Sequence, residues 1–399
     1  MPLTLSDKCL NISPSVTLTI DSRAKQLRAL GLDVIGFGAG EPDFDTPDYI
    51  KQAAKDALDL GQTRYTPVAG TAELKEEIQH KLYRDNSLDY QLSEIIVSTG
   101  AKQSLFNAIS ALVNPGDEVL LPAPCWVSYP EMIRACGGVP VWVKGRSEDD
   151  FIPSANYIEQ YVNEKTKAII LNSPCNPTGA VWDLRQLTAL ADLAVRRGFY
   201  VISDEIYEKL VYDGARHISI AALGEDIRKQ TIVINGLSKS YAMTGWRVGY
   251  AAAPLEIVKA MTAFQSHTTS NCNSIAQHAA AVALTNGEKF MRESYVEFDF
   301  RRRLMHEALS AIPGLSCRLP KGAFYMMLDI SGCIGKHVNG EEITGSESFA
   351  RLLLEDKRVA AVPAKAFGDD NYLRLSYAVK REKIVEGAKR IGEFVAELK

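Results

Sequence analysis

A lysine and an arginine carry the first chemical signal. Lys239 and Arg247 stand eight positions apart in Gly236-Leu237-Ser238-Lys239-Ser240-Tyr241-Ala242-Met243-Thr244-Gly245-Trp246-Arg247. The β-branched run Thr231-Ile232-Val233-Ile234-Asn235 before them reads as a buried strand, and 247–252 reads as a second, short one. A lysine held in a turn against a sheet loses part of its hydration. Its amine pKa then falls, and the neutral amine can form a Schiff base with an aldehyde. A guanidinium stays charged and presents a fork suited to phosphate. The pair points to a phosphorylated aldehyde, gripped covalently at one end and through its phosphate at the other. A solvated lysine beside a salt-bridged arginine is the plainer alternative.

Other candidates follow other apolar runs. Residues 199–203 read as a buried strand that delivers Asp204 and Tyr207. A carboxylate there is costly without a partner. A pyridinium N–H would serve, and so would a helix start with Asp204 as N-cap. Residues 94–99 read as a strand, and Gly100-Ala101-Lys102 opens a helix whose free N–H groups make an anion site. The lysine–hydroxyl pair of a P-loop is missing. Residues 167–172 read as a strand leading into Ser173-Pro174-Cys175-Asn176-Pro177-Thr178-Gly179, a rigid turn that fixes the Asn176 amide. The strand 118–121 leads into the proline-rich loop 122–130, where Trp126 is either core or a plate for a flat ring. Arg374, in the apolar strand 371–377, is either an exposed strand cation or a carboxylate clamp. Gly100, Asn176, Asp204 and Lys239 thus each follow a strand, and open α/β sheets bind ligands beyond those carboxyl ends.

Gly36, Gly38 and Gly40 do not make a dinucleotide fingerprint. The third glycine would fall at Glu41, and Pro42 stands where a helix should run, which excludes a hydride-transferring dehydrogenase. The string Gly40-Glu41-Pro42-Asp43-Phe44-Asp45-Thr46-Pro47, the Asn176-Pro177-Thr178-Gly179 loop and the stretch around Lys239 together resemble class I aminotransferases, the fold-type-I pyridoxal-phosphate enzymes. The resemblance spans nearly the whole chain and is nearest the bacterial aspartate aminotransferases. It implies pyridoxal 5'-phosphate as cofactor, with Lys239 as the Schiff-base lysine. Ser238, Arg247 and the backbone of Gly100, Ala101 and Lys102 would hold the phosphate. Asp204 would face the ring nitrogen, Tyr207 and Asn176 the ring oxygen, and Trp126 the ring. Lys239, Asp204 and Tyr207 form the implied catalytic set. Gly40, Lys102, Trp126, Asn176 and Arg374 would meet substrate, with Arg374 on the α-carboxylate and Lys102 on a distal one. Tyr65 would cross a homodimer interface to the partner's phosphate.

Implied substrates are an amino acid, aspartate or glutamate, and a 2-oxo acid. Aromatic or prephenate transamination and a carbon–sulfur lyase of the same fold are the alternatives. Ser13 stands where prephenate-using relatives place a basic residue, and Gly236 where many relatives carry serine.

The elements that must position these residues suggest an α/β chain of two parts. A large cofactor-binding domain, 48–290, would hold a mostly parallel sheet flanked by helices. A smaller α+β domain would combine 1–47 with 291–399. The 399 residues, 46% hydrophobic and 24% charged, suffice for such cores. A net charge of −4 makes no electrostatic case for nucleic acid. About 40 residues precede the Gly40 loop, too few and not basic enough for a DNA-binding region of an aminotransferase-like regulator. No apolar run reaches membrane-spanning length, and residues 1–8 lack a leader pattern. Seven scattered cysteines without CxxC suit a reducing cytoplasm. Six histidines without HExxH predict no metal site.

Overall fold

The structure, a computed structural model, describes residues 5–399; residues 1–4, half of the stretch read for a leader pattern, lie outside the described residues. Its centre is a sheet of seven strands: β1 (Ile95–Thr99), β2 (Glu118–Ala123), β3 (Val139–Lys144), β4 (Thr166–Asn172), β5 (Tyr200–Asp204), β6 (Thr231–Gly236) and β7 (Val248–Ala252). Their spatial order is β1-β7-β6-β5-β4-β2-β3. Neighbours pair in parallel except at β7, which runs against both β1 and β6. The middle strands are apolar at consecutive positions because both faces are covered. Ile96, Ile170, Ile202 and Ile234 face Leu105, Ile109 and Met261 of helices Ala101–Leu112 and Leu255–Ser266. Leu120, Ile169, Leu171 and Val201 face Leu187, Leu190 and Ala194 of helix Leu184–Arg197 on the other side.

Register then gathers the strand ends. Asn172 pairs with Asp204, Asp204 with Ile234, Gly236 with Gly249, and Thr99 with Val248. The loops carrying Gly100, Trp126, Asn176 and Lys239 therefore leave one edge of the sheet together.

A second, antiparallel sheet contains β8 (Ser316–Cys317), β9 (Tyr325–Asp329), β10 (Val362–Pro363) and β11 (Tyr372–Ser376), ordered β10-β11-β9-β8. Helices Glu288–Ser310 and Arg381–Ala396 pack on it through Phe298, Met305, Ile384 and Ile391. Ile35–Gly36 pairs with Val359–Ala360, so the early chain joins this part. The same core takes in Ile206, Tyr207 and Leu210, which follow β5.

Thr46 and Pro47 precede helix Asp48–Asp59, and the Thr46 hydroxyl donates to the Ala242 carbonyl and accepts from Trp246 Nε1. Two local readings fail. The expected loop 122–130 is cut short by helix Ser128–Ala135, because Pro130 lies in its first turn, where no N–H is needed. Asp204 caps no helix, since a turn follows it.

Candidate active site

One cavity of about 220 Å³ gathers nearly all the candidates. Gly40, Ala101, Lys102, Trp126, Asn176, Asp204, Tyr207, Ser238, Lys239, Arg247 and Arg374 line it. Gly100 stands just behind. Its φ is +82°, and a Cβ there would collide with the Arg247 guanidinium, which the missing side chain lets close on the helix start. Gly249 is required similarly, since its Cβ would strike the Ala101 backbone. Tyr65 is the exception: it lies outside the cavity and is 91% exposed.

Lys239 leaves the end of β6, and its Nζ donates to the Gly40 carbonyl at 2.6 Å. Burial pushes its amine down to about 8, helped by Arg247 and Arg374 and opposed by Glu41 and Asp204. Asp204, buried at the end of β5, accepts from the Tyr129 hydroxyl at 2.7 Å and from the Ile206 N–H at 3.3 Å. Burial raises its carboxyl to about 6 in spite of those two bonds. Tyr207 and Tyr325 share a hydroxyl–hydroxyl bond of 2.9 Å, and burial pushes both phenols up.

Arg374 is wholly buried on β11, under the aromatic rings of Tyr325 and Phe367. Nη1 donates to Asn176 Oδ1 at 3.1 Å and Nη2 to the Gly38 carbonyl at 2.6 Å. Nε is buried and lacks a partner. Lys102 lies over Trp126, 4.7 Å from the ring centre, and burial lowers its amine pKa, as does Arg247. Among the described residues neither cation has a carboxylate partner within 4 Å, although ion pairs are abundant elsewhere. A cavity that keeps these two cations, and Arg247 as well, without a carboxylate partner among the described residues is built for anions.

Three hydroxyl-bearing lining residues escape sequence reasoning. Thr17, in helix Val16–Ala29, has a buried hydroxyl without a partner. Tyr129 and Tyr325 also line the cavity. A single threonine or tyrosine on an amphipathic element carries no local signal; only its position in three dimensions does.

Residues 32–391 match the family described as Aminotransferase class I and II. The chain belongs to that family. This aminotransferase is 46% identical over 396 residues to the "Probable aspartate/prephenate aminotransferase" of Aquifex aeolicus, covering 99% of each chain. It matches the crystal structure of the aspartate aminotransferase from Rhizobium meliloti with a TM-score of 0.96 at 42% identity, over 100% of both chains. It matches that of the Thermus thermophilus aspartate aminotransferase with maleate at 0.93 and 41% identity, over 98% of this chain and 100% of the other. The fold is that of a fold-type-I aminotransferase, and pyridoxal 5'-phosphate is its cofactor.

The residues present fit that cofactor. The start of helix Ala101–Leu112 offers free N–H groups beside Ser238 and the Arg247 guanidinium, with Gly100 leaving room between them. A lone buried carboxylate, Asp204, and an amine of lowered basicity, Lys239, line the same cavity.

Proposed function

We propose that this aminotransferase takes nitrogen from aspartate or glutamate and passes it to a 2-oxo acid. The observation that carries this reading is the pair of unpaired cations, Arg374 and Lys102, lining one cavity with Lys239. A dicarboxylic substrate brings two anions. Arg374 binds the α-carboxylate as a fork, using the direction its orphaned Nε leaves open. Lys102 binds the distal carboxylate, and the unpartnered Thr17 hydroxyl donates to it. The structure of the Thermus relative with maleate, itself a dicarboxylate, supports this choice.

The bound cofactor supplies an electron sink that acidifies the Cα–H of the substrate. Ser238, Arg247 and the N–H groups of Ala101 and Lys102 would hold the phosphate, while the Gly100 N–H is engaged by the Ser98 carbonyl at 2.7 Å. Asp204 accepts the ring N–H, Asn176 and Tyr207 donate to the ring oxygen, and Trp126 packs on the ring. Lys239 anchors the cofactor at rest. A free Lys239 amine would take the proton from the substrate Cα and return it, as general base and acid. An amine near 8 suits both directions, because neither protonation state is rare near neutral pH.

Lys102→Ala tests the substrate. It should lower kcat/KM for aspartate about tenfold to a hundredfold, the worth of one charge-assisted contact, and leave alanine nearly untouched. Equal losses for both would move the distal-carboxylate site elsewhere. A second reading, transfer from aromatic donors, is favoured by an apolar groove lined by Ile12, Phe106 and Trp142 that shares Lys102 with the cavity.

We further infer a homodimer in which Tyr65 serves the partner's phosphate; its exposure supports this. The two larger sheets, one of seven strands and one of four, support a division into 48–290 and 1–47 with 291–399. Seven free thiols support a cytoplasmic setting, and no described helix is long and apolar enough to cross a membrane.

A further inference from the structure

Asp204 is oriented by one side chain that no sequence pattern singled out. Tyr129 is fully buried in the first turn of helix Ser128–Ala135, and its ring is held edge-on against Trp126, 5.3 Å between centres. Its hydroxyl donates to Asp204 Oδ2 at 2.7 Å. The other carboxylate oxygen, Oδ1, has only the long contact with the Ile206 N–H at 3.3 Å. Oδ2 is thereby committed, and Oδ1 is left for a ligand in the cavity. The same short segment carries both Trp126 and the group that aims Asp204.

We propose that Tyr129 is a positioning residue: its hydroxyl turns the Asp204 carboxylate into the cavity and keeps it anionic, so that it can accept the cofactor's ring N–H. This rests on the reading that Asp204 meets the ring nitrogen. A buried carboxylate that must stay charged needs donors. The ionisable groups facing Asp204 are Glu205 beside it, Lys239 beyond β6, Tyr207 in the following turn, Cys175 ahead of Asn176, and Tyr129. Glu205 opposes the charge and Lys239 favours it. When Lys239 shifts from cationic to neutral, that support disappears, and the phenol bond remains whatever the lysine does. Its own proton is held firmly, since burial and Asp204 push the phenol well above its usual range. Tyr129 can therefore donate throughout the working pH range.

Tyr129→Phe removes the hydroxyl and keeps the ring against Trp126. The test is an equilibrium titration of the full chain with pyridoxal 5'-phosphate as a function of pH, together with the pH profile of kcat/KM, for wild type, Tyr129→Phe, Asp204→Asn and the double variant. In the wild type, binding and kcat/KM should fall on the acid side as Asp204 protonates near 6. In Tyr129→Phe the acid limb should move up by about one to two pH units, the value of one charge-assisted hydrogen bond. KM for the amino donor should change far less than kcat. In the Asp204→Asn background the phenylalanine should cost nothing more. An unmoved acid limb in Tyr129→Phe, with Asp204→Asn abolishing that limb, overturns the inference and spares the role of Asp204. An Asp204→Asn variant with unchanged cofactor affinity and unchanged limb overturns both. A uniform loss at every pH, repeated in the Asp204→Asn background, would make Tyr129 a packing residue and equally overturn the inference.

Discussion

At the scale of single residues, the proposed chemistry rests on Lys239 being an unusual amine. A lysine near 8 is half neutral at that pH, whereas an ordinary one near 10.4 is neutral to well under about 1%. We expect Lys239, in the chain freed of cofactor, to react with a small acylating reagent at pH near 8 far faster than the exposed lysines, as read by mass mapping; uniform labelling would show an ordinary amine. Lys239→Ala should abolish transamination while leaving the fold intact by circular dichroism, and wild-type turnover by that variant would remove Lys239 from the mechanism. Lys239, Asp204 and Asn176 are legible in the sequence because each follows an unbroken apolar run, and a polar group there has to have a purpose. Thr17 and Tyr129 are not legible. Their roles come from what crosses over them: Thr17 from a distant helix, Tyr129 from a helix hidden behind Pro130.

At the scale of elements, the turn after β5 is tied down from behind. Glu208 is buried there, ion-paired with Lys81 of helix Ala72–Asn86, and accepts from Asn86 Nδ2 at 2.8 Å. Lys81 also donates to Asn86 Oδ1 at 2.6 Å, and Asp85 takes Lys209 at 2.7 Å. The partners next to Glu208 are thus an ammonium and an amide, and the neighbouring Glu205 accepts from Ser203, Ser219 and His217. Glu205, Glu208 and His217 come close enough for a metal, but these bonds already engage the carboxylates. Burial pushes Glu208 upward, but Lys81, Lys209 and His217 outweigh it and hold it at about 2; Asp85 is likewise held at about 2 against its burial, by Arg84 and Lys209. A carboxyl whose folded pKa is depressed stabilises the fold above its unfolded value and loses that contribution as pH falls towards the folded one. Stability should therefore drop between about pH 4.5 and pH 2, the unfolded and folded values for Glu208. Lys81→Met should cost about 3–5 kcal/mol in denaturant unfolding, because it strands a buried carboxylate, and the double variant Lys81→Met, Glu208→Leu should recover most of it. A Lys81→Met protein as stable as wild type would mean the pair is hydrated. None of this network is visible in the sequence, since it joins residues more than a hundred positions apart, whereas the strands and most helices are visible through local periodicity. Helix Ser274–Asn286 is the opposite case: it buries Ala276, Ala279, Ala280 and Ala283, but its partly buried stripe carries Ile275 and Val282, so the sequence shows almost no amphipathic contrast.

At the scale of the whole molecule, the Tyr65 side chain makes no hydrogen bond among the described residues. The loop that carries it is well anchored: Ser274 donates to the Gln62 carbonyl at 2.7 Å, and Gln277 reaches Thr66 at 3.1 Å. Yet Tyr65 at its centre is 91% exposed, and Leu58 and Leu60 nearby are exposed too. A fixed loop presenting an aromatic hydroxyl to solvent is what a shared active site requires of each subunit. Complementation separates the shared arrangement from an internal one. A Tyr65→Ala chain keeps its own Lys239, and a Lys239→Ala chain keeps its own Tyr65. In a mixed dimer with shared sites, the first chain's lysine meets the second chain's tyrosine, and one of the two sites is whole. Random mixing makes half the dimers mixed, so specific activity should reach about a quarter of wild type above the residual of the Tyr65→Ala parent. If Tyr65 acted within its own chain, or not at all, each site in the mixture would keep the defect of its own chain and no gain would appear. The mixing has to be done by unfolding and refolding the two chains together, with sedimentation confirming dimers, so that a failure to exchange subunits is not read as a failure to complement. The Tyr65→Ala parent should also bind pyridoxal 5'-phosphate more weakly, by about the tenfold that one neutral-to-anion hydrogen bond is worth. In the mixed dimers that weakness should disappear at the site built on the Tyr65→Ala chain, which borrows its tyrosine from the other subunit.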